Sequence, residues 1–303
     1  MTSDKLARRL VLMPGPVDLA AYPTDATPAV KGGKKQGEAT LAALGPSLLD
    51  MQTRLFAHGR ADDAASHRQV LLVLQGMDTS GKGGVLVHTV GLMDPQGLKI
   101  TSFKAPTHDE LAHDFLWRIE KAVPPAGYVG VFDRSHYEDV LIGRVRELAP
   151  AEEIERRYDA INDFEERLAD DGTVILKCML HISPEEQRRR LEARLNDPTK
   201  YWKYNPGDID ERQLWADYTR AYEIALERTH TGHAPWYVVP SDKKWYRNLA
   251  VAELLLEALE GMDLDWPAAD FDVQAELARL ADDTITSKGV AKTLKRRAQE
   301  LDA

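Results

Sequence analysis

Five short apolar runs are spread along the chain, and each has the length of a β-strand. They cover residues 70–75, 98–103, 128–132, 174–182 and 236–240. Strands that are buried on both faces read as continuous apolar stretches, whereas half-buried strands alternate between apolar and polar residues. The pattern therefore predicts strands that lie inside a covered sheet.

Longer segments with apolar residues at helical spacing separate these runs. We predict helices over residues 83–93, 107–121, 136–147, 151–170, 184–195, 210–229 and 243–260, and an earlier one from Ala39 to Ala57. Strands that alternate with helices in this way form parallel sheets with helices on both faces. The predicted fold is therefore α/β, a three-layer α/β/α sandwich whose right-handed crossovers bring ligand-binding loops to the carboxyl edge of the sheet.

The chain divides into three parts on this pattern. Residues 1–38 contain proline and glycine and are predicted to be an extended N-terminal lead-in. Residues 39–260 hold the alternating elements, and residues 261–303 form a C-terminal helical extension. The last helix of that extension carries Lys288, Lys292, Lys295, Arg296 and Arg297. A solvated basic face is the main interpretation of this helix, and contact with a polyanion is the alternative.

Composition and charge narrow the class of protein. Among 303 residues, 43% are hydrophobic and 29% are charged, which is ordinary for a soluble globular protein. The net charge of −10 argues against a nucleic-acid-binding surface over the whole molecule. No apolar run approaches the ~20 residues that span a bilayer. Cys178 is the single cysteine, so an internal disulfide is impossible. We expect a cytoplasmic protein without a membrane or nucleic-acid partner.

The most informative motif is a glycine-rich loop directly after the first predicted strand. It reads GMDTSGKGG and has the spacing of a phosphate-binding P-loop between Gly76 and Gly81. Backbone N–H groups in such a loop, here extended by Gly83 and Gly84, can point at phosphate oxygens, and Lys82 adds a cation. A glycine-rich turn with a chance lysine is the alternative, and the strand before it and the helix after it argue against that interpretation.

The loop departs from an ordinary P-loop at Gly83, where serine or threonine would normally hold Mg²⁺. Asp78 lies inside the loop, and Asp133 ends the third predicted strand, as the acidic residue of a Walker B strand does. Mg²⁺ typically takes one or two carboxylates together with phosphate oxygens and waters. The sequence therefore predicts a Mg²⁺ site at Asp78 and Asp133, with helix capping as the alternative role of Asp133.

Two further charged residues follow the third predicted strand. A guanidinium at Arg134 can make bidentate contacts to phosphate and offset transition-state charge. A salt bridge to local acidic residues is the alternative. Glu138 would face an anion site, where a carboxylate is unfavourable unless it helps a metal or orients an acceptor. An acidic residue at a helix N-terminus is its alternative role.

A basic segment opposite the glycine loop has the character of a lid. It runs over about residues 188–212, and its basic residues are Arg188, Arg189, Arg190, Arg194, Lys200 and Lys203. A hinged basic segment can close over phosphates and exclude the water that would hydrolyse them. A solvated helix face is the alternative. The remaining candidates are weak: His230 and His233 lie in a turn, and Cys178 lies in an apolar strand, where it is expected to be buried.

Four segments together resemble the second family of polyphosphate kinases. They read GMDTSGKGG (76–84), FDRSHYEDVL (132–141), RLNDPTKYWK (194–203) and APWYVVPSDKKWYRN (234–248). In that family the departure at Gly83 is the regular form of the motif. The resemblance implies a thymidylate-kinase-like P-loop kinase fold with a helical lid, and it implies Mg²⁺-dependent phosphoryl transfer between inorganic polyphosphate and nucleotides. It also implies a homo-oligomer, either a dimer or a tetramer.

The resemblance also implies roles for individual residues. Asp78 and Asp133 would hold Mg²⁺, Lys82 would contact phosphate, and Arg134 and Arg194 would bind phosphate in the transition state. Glu138 matches an acidic position in members that phosphorylate both AMP and ADP, where ADP-specific members have asparagine. A polymer donor needs an open basic groove, for which the candidates are the helix with Arg188–Arg194, and Lys243, Lys244 and Arg247. Arg190, Lys200 and Lys203 of the lid are expected to bind phosphate.

The sequence thus favours a polyphosphate kinase that converts AMP to ADP and ADP to ATP, and back. Two alternatives stay open. One is an ATP-dependent nucleoside monophosphate kinase on the same fold, which Gly83 and the basic segment disfavour. The other is a non-catalytic polyanion-binding protein, which the intact set of Asp78, Lys82, Asp133 and Arg134 disfavours.

Overall fold

The computed structural model describes residues 6–61, 65–283 and 285–301. The chain forms two compact units, Met1–Trp266 and Pro267–Ala303. In the described part of the first unit, five strands form one parallel sheet: β1 (Gln69–Gln75), β2 (Leu98–Ser102), β3 (Val129–Asp133), β4 (Thr173–His181) and β5 (Trp236–Pro240). Their order across the sheet is β2-β3-β1-β4-β5. The predicted α/β fold is confirmed, and the strands lie within about a residue of their predicted ends.

Helices cover both faces of this sheet, as the continuous apolar runs predict. All seven residues of β1 are buried. Val70, Leu72 and Leu74 join one core with helices α2 (Lys34–His58) and α10 (Lys244–Glu260). Leu71 and Val73 join the other core with α6 (Ala151–Asp170) and α9 (Trp215–Thr229). The central strand therefore separates two hydrophobic cores, which is the three-layer arrangement.

The remaining helices of the first unit are short. They are α1 (Leu6–Leu10), α3 (Lys82–His88), α4 (Trp117–Ala122), α5 (Ile142–Val145), α7 (Pro184–Leu195) and α8 (Gly207–Gln213). The 3₁₀ helices cover Leu19–Ala21, Val90–Leu92, Pro95–Gly97, Glu110–Ala112, His136–Asp139 and Pro198–Lys203. No helix in the described ranges is both long enough and apolar enough to cross a bilayer.

Four predicted helices are interrupted in the structure. The segment 83–93 changes from α3 to a 3₁₀ helix at Thr89. Within the segment 107–121, the helical residues are those of the 3₁₀ helix Glu110–Ala112 and of α4. In 136–147, the Ser135 side chain accepts from the Tyr137 N–H and starts a 3₁₀ turn in place of an α-helix. Leu214 separates α8 from α9 within 210–229. A side-chain cap such as that of Ser135 competes with α-helical hydrogen bonding, and hydrophobic periodicity does not reveal it.

The N-terminal segment differs from the extended lead-in that the sequence predicts. Leu6 and Leu10 are one helical turn apart, and both are buried in the core that contains α10. Helix α2 begins at Lys34, before the predicted start at Ala39. Between these helices the chain is fastened to the start of β5: the Leu12 N–H donates to the Trp236 carbonyl oxygen at 2.8 Å. Buried leucines at helical spacing explain why residues 6–10 are helical.

The second unit contains α11 (Val273–Ala281) and α12 (Ser287–Leu301). The five basic residues of α12 that the sequence singles out are all exposed. The apolar residues Leu277 and Leu280 of α11 and Leu294 of α12 are exposed as well. Within this unit, the helical extension predicted over 261–303 begins at Val273.

Candidate active site

The glycine loop joins β1 to α3 at the carboxyl edge of the sheet. Its backbone is held in conformations that favour glycine, with φ of 151° at Gly76 and 113° at Gly81, and Thr79 adopts a φ of 61°. The N-terminus of α3 begins directly after Gly81. Left-handed residues turn successive N–H groups toward one point, which gives the concave anion-binding shape that the P-loop motif predicts.

Lys82 lies at the centre of this loop. Its Nζ donates to the Gly76 carbonyl oxygen at 2.7 Å. Burial lowers the pKa of the Lys82 ammonium, while the negative charges of Asp78, Glu138 and Asp133 raise it. The Lys82 ammonium and the carboxylates of Asp78, Asp133 and Glu138 are therefore close enough to interact electrostatically. A cation surrounded by carboxylates at the mouth of a P-loop can pair with the phosphate that enters.

Arg247 supports the loop from behind, a role that was not part of its prediction as a groove residue. Its guanidinium is 2% exposed, and its Nη1 donates to the Ser80 carbonyl oxygen at 3.1 Å. A Cβ at Gly81 would lie 1.7 Å from Nη1, and a Cβ at Gly84 would lie 2.4 Å from Nη2. Burial and the charge of Arg190 lower the pKa of Arg247 to about 9. The glycines at 81 and 84 therefore make room for a buried arginine, whose guanidinium supports the backbone of the loop.

A matched pair of glycine substitutions tests this packing. Gly81→Ala should lower the free energy of unfolding by about 2 kcal/mol or more, because it meets a left-handed φ and the held guanidinium. Gly83→Ala should leave it unchanged or raise it by up to about 1 kcal/mol, because the Cβ meets open space at the start of a helix. Urea unfolding of both variants measures the difference. Equal effects at the two positions would contradict the packing argument.

Arg190 is committed to the protein. It is 7% exposed, and its Nη1 donates to the carbonyl oxygens of Thr79 and Ser80 at 2.8 and 2.9 Å. Its Nη2 donates to the Ser241 carbonyl oxygen, and its Nε donates to Glu186. These bonds tie α7 and the loop after β5 to the glycine loop. Arg190 therefore has a supporting role for the loop, and its predicted phosphate contact stays a prediction.

A polar pocket of about 280 Å³ opens on one side of the loop. Asp78, Arg134 and Glu138 line it, and the Arg134 guanidinium lies 3.2 Å from the Asp78 carboxylate. Arg134 adopts a φ of 64°, an uncommon backbone conformation that is typical of functional sites. Burial raises the pKa of Glu138, and the charges of Arg134 and Lys82 oppose that rise. The pocket thus holds three of the predicted residues together.

The far wall of this pocket comes from α8 and α9. The sequence analysis predicted a helix over 210–229 but did not assign its pocket-facing residues to the site. Trp215, Tyr218 and Tyr222 face the pocket from α9, and Asp208 and Glu211 face it from α8. Burial raises the pKa of Tyr222 well above its ordinary value, and the charge of Glu138 raises it further. The three aromatic residues are spaced three and four apart on one helix. That spacing, directly after the lid, is the signal that could have identified them.

Asp133 lies at the end of β3, beside the loop. Its backbone pairs with Leu74 of β1 and with Ser102 of β2, whose hydroxyl lies 3.5 Å from its carboxylate. Strand pairing thus fixes Asp133 next to the start of the glycine loop. In the described residues, no group of three or more His, Cys, Asp or Glu side chains could hold a metal ion by itself.

A larger groove of about 890 Å³ opens on the other side of the loop. It lies between α2, α3, α7 and the start of α10, and the glycine loop forms its floor through Thr79, Gly81 and Gly84. Its basic residues are Lys34, His88, Arg189, Arg190, Arg194, Lys200, Lys203, Lys244 and Arg247, and its acidic residues in the described chain are Glu38 and Asp242. The groove is therefore strongly cationic in a protein with a net charge of −10.

Five of the six predicted basic lid residues line this groove, whereas Arg188 and Lys243 do not. Arg194 donates to the Lys203 carbonyl oxygen at 2.8 Å and lies 3.5 Å from Asp208, while Lys200 pairs with Asp197 at 2.5 Å. Lys243 instead donates to the Asp25 carbonyl oxygen at 2.6 Å. Its ammonium thus fastens the N-terminal segment, and Lys244 is the lysine of this pair that faces the groove.

His230 and Cys178, which the sequence analysis treated as weak candidates for function, have structural roles. The His230 Nδ1 accepts from the Trp236 N–H at 3.1 Å, which ties the turn to β5. Cys178 is fully buried in β4, and burial raises the pKa of its thiol to about 12. Both observations agree with the interpretations that the sequence favoured.

Comparisons with known proteins identify this arrangement. The family model for polyphosphate kinase 2 matches residues 34–267. The crystal structure of a polyphosphate kinase 2 from Arthrobacter aurescens superimposes with a TM-score of 0.89 at 54% identity, covering 93% of this chain and 98% of that one.

Named relatives agree with the structural match. An AMP/ADP-polyphosphate phosphotransferase of Meiothermus ruber is 45% identical over 253 residues, which is 84% of this chain and 92% of that protein. An ADP-polyphosphate phosphotransferase of Rhodopseudomonas palustris is 38% identical over 263 residues, which is 83% of this chain and 88% of that protein. This chain belongs to the polyphosphate kinase 2 family.

Proposed function

We propose that this protein transfers phosphoryl groups between inorganic polyphosphate and adenine nucleotides, converting AMP to ADP and ADP to ATP, and back. One observation carries the proposal: two openings of different character lie on either side of the glycine loop that contains Lys82. The smaller pocket is polar and partly aromatic, which suits a nucleotide. The larger groove is cationic and open, which suits a long polyanion that cannot be fully enclosed.

The arrangement lets the two substrates approach one phosphate position from opposite sides. Phosphoryl transfer proceeds in line between an attacking and a leaving oxygen, and catalysis consists mostly of positioning and charge neutralisation. Lys82 and the N–H groups of the loop would hold the transferring group. Arg134 would approach it from the pocket and Arg194 from the lid. Lys200, Lys203 and Lys244 would bind the rest of the polymer.

The carboxylates of Asp78 and Asp133 fit a Mg²⁺ ion. Two carboxylates with phosphate oxygens and waters are the usual ligands of Mg²⁺ in kinases, and the Coulomb interaction of both residues with Lys82 supports their proximity. When bound, Mg²⁺ would neutralise charge on the phosphates. Gly83 leaves no hydroxyl at the position of the usual P-loop ligand, so Asp78 would replace it.

The proposed use of both AMP and ADP as acceptors depends on Glu138. It lies in the pocket beside Arg134, where a carboxylate can orient an acceptor phosphate through the arginine or a bound metal. The Meiothermus ruber relative, named for both AMP and ADP, supports a broad range. The cytoplasmic location, the lack of nucleic-acid and membrane partners and the dimeric or tetrameric assembly remain predictions from sequence.

An end-point assay tests the proposed function. Purified protein, Mg²⁺ and long-chain polyphosphate are incubated with AMP in one reaction and with ADP in another, and the nucleotides are separated. We expect ADP and ATP from AMP, and ATP from ADP. Product from ADP alone would keep the phosphotransferase and overturn the broad acceptor range. Phosphorylation of AMP by ATP, with no product from polyphosphate, would favour the nucleoside monophosphate kinase.

A further inference from the structure

Gln75 is a fully buried polar residue that directly precedes the glycine loop. It ends β1 and is 0% exposed. Its amide faces the segment after β3, where Ser135 and Glu138 lie. A buried amide in the middle of a sheet is unfavourable unless its hydrogen-bonding groups are satisfied, so its partners indicate what it is there to hold.

The hydrogen-bond network assigns the orientation of this amide. In one orientation, Nε2 donates to the Glu138 Oε1 at 3.0 Å, and Oε1 accepts from the Ser135 N–H and from the Ser135 hydroxyl, each at 3.0 Å. The opposite orientation would turn the amide oxygen toward a carboxylate oxygen. The first orientation satisfies both ends of Gln75, and it makes Gln75 a neutral donor to the carboxylate that lines the nucleotide pocket.

Glu138 has few other ways to be fixed. It lies on a short 3₁₀ helix, His136–Asp139, and is partly buried beside Arg134 and Asp78. The charge of Arg134 attracts it and that of Asp78 repels it. A carboxylate between opposing charges needs a directional bond to hold one rotamer, and the amide of Gln75 supplies that bond from the rigid central strand.

We propose that Gln75 is a positioning residue that fixes the Glu138 carboxylate and thereby sets the preference between AMP and ADP. This inference rests on the proposed function. Gln75 acts through Glu138 and does not touch the substrate. AMP depends on Glu138 more than ADP does, because ADP has a further phosphate with its own contacts to the loop. Loss of the amide should therefore reduce the use of AMP more than the use of ADP.

Gln75→Met tests the inference with little change in side-chain volume. Polyphosphate-driven kcat and KM are measured for AMP and for ADP in the same preparations. We expect kcat/KM for AMP to fall about tenfold more than kcat/KM for ADP, which corresponds to ~1.4 kcal/mol of differential transition-state stabilisation. An unchanged ratio would overturn the inference, even if both activities fell together.

Gln69→Met is the matched control. Gln69 starts the same strand, is buried, and donates through Nε2 to the Thr173 hydroxyl at 2.8 Å, at the end of β1 away from the site. Its loss removes an equivalent hydrogen bond and should change stability without changing the AMP-to-ADP ratio. A similar change of ratio in both variants would assign the effect to general loosening of β1 and overturn the inference.

An exchange of the two groups tests the contact itself. Gln75→Glu alone should destabilise the protein, because it places two carboxylates 3.0 Å apart. Adding Glu138→Gln restores an amide–carboxylate pair of the same length with donor and acceptor exchanged, so the double variant should melt at a higher temperature than Gln75→Glu. Because it lacks the carboxylate at position 138, it should use ADP in preference to AMP. Strictly additive effects would overturn the inference.

The wild-type reactions separate this inference from the proposed function. If wild-type protein uses both acceptors and the ratio in Gln75→Met is unchanged, only the role of Gln75 is wrong. If wild-type protein does not use AMP, the broad acceptor range fails, and the inference fails with it.

Discussion

Lys82→Ala should lower kcat for the transfer of phosphate from polyphosphate to ADP by about 100-fold or more. The Lys82 ammonium is the cation that the glycine loop holds at its centre, and three carboxylates surround it. Its removal leaves the transferring phosphoryl group beside Asp78, Asp133 and Glu138 without a fixed positive charge. Steady-state kcat at saturating Mg²⁺ and polyphosphate measures the loss.

Lys121→Ala is a suitable control for this substitution. Lys121 lies on α4, where its ammonium is 3.3 Å from the ring centroid of Trp117, and it has no contact with the loop. It should keep normal kcat. Activity of Lys82→Ala within a few-fold of the wild type would remove Lys82 from the mechanism.

Asp133→Asn should lower the rate on the order of 100-fold and raise the Mg²⁺ concentration that gives half-maximal rate. The substitution keeps the size of the side chain and the hydrogen bond that Ser102 can make, but it removes one of the two charges proposed to hold the ion. A Mg²⁺ titration at fixed polyphosphate and ADP measures both effects.

Asp139→Asn separates metal binding from folding in this test. Asp139 lies nearby in sequence and pairs with Arg157 at 3.4 Å and Arg118 at 3.9 Å. Its substitution should lower the melting temperature without a change in Mg²⁺ dependence. A wild-type Mg²⁺ titration for Asp133→Asn would place the metal on other residues.

Strands β1, β3, β4 and β5 were predictable because they are mostly apolar and lie inside a covered sheet, where neighbouring residues face opposite cores. The edge strand β2 has no fully buried residue, so its prediction as a strand was right and its predicted burial on both faces was wrong. The P-loop was predictable because its glycines and lysine occupy fixed spacings. The interruptions at Ser135 and Leu214 were not predictable, since they depend on local hydrogen bonds and backbone turns that leave hydrophobic periodicity unchanged.

The contacts of the individual basic residues could not be predicted from the sequence. Arg190 and Lys203 have the same charge, lie on the same predicted lid and both line the groove. Arg190 is nevertheless buried and bonded to the backbone of the loop, whereas Lys203 is exposed. The partners of Arg190 and Arg247 are backbone carbonyl oxygens, which every residue has, so no pattern of residue types reveals them. The need for glycine at positions 81 and 84 is visible only when Arg247 of α10 is in place.

The order of the strands in the sheet differs from their order of synthesis, which delays the pairing of the central strand. Strand β1 lies at the centre of the sheet, between β3 and β4, yet the ribosome makes it before either partner. At ~5–20 residues per second, β4 follows on the order of ten seconds later. Both edges of the segment QVLLVLQ are unpaired until β3 is made, and the edge toward β4 stays unpaired for the whole interval, which is a feature of an aggregation-prone strand. The most protected strand of the finished protein is thus the one that the nascent chain leaves open for longest.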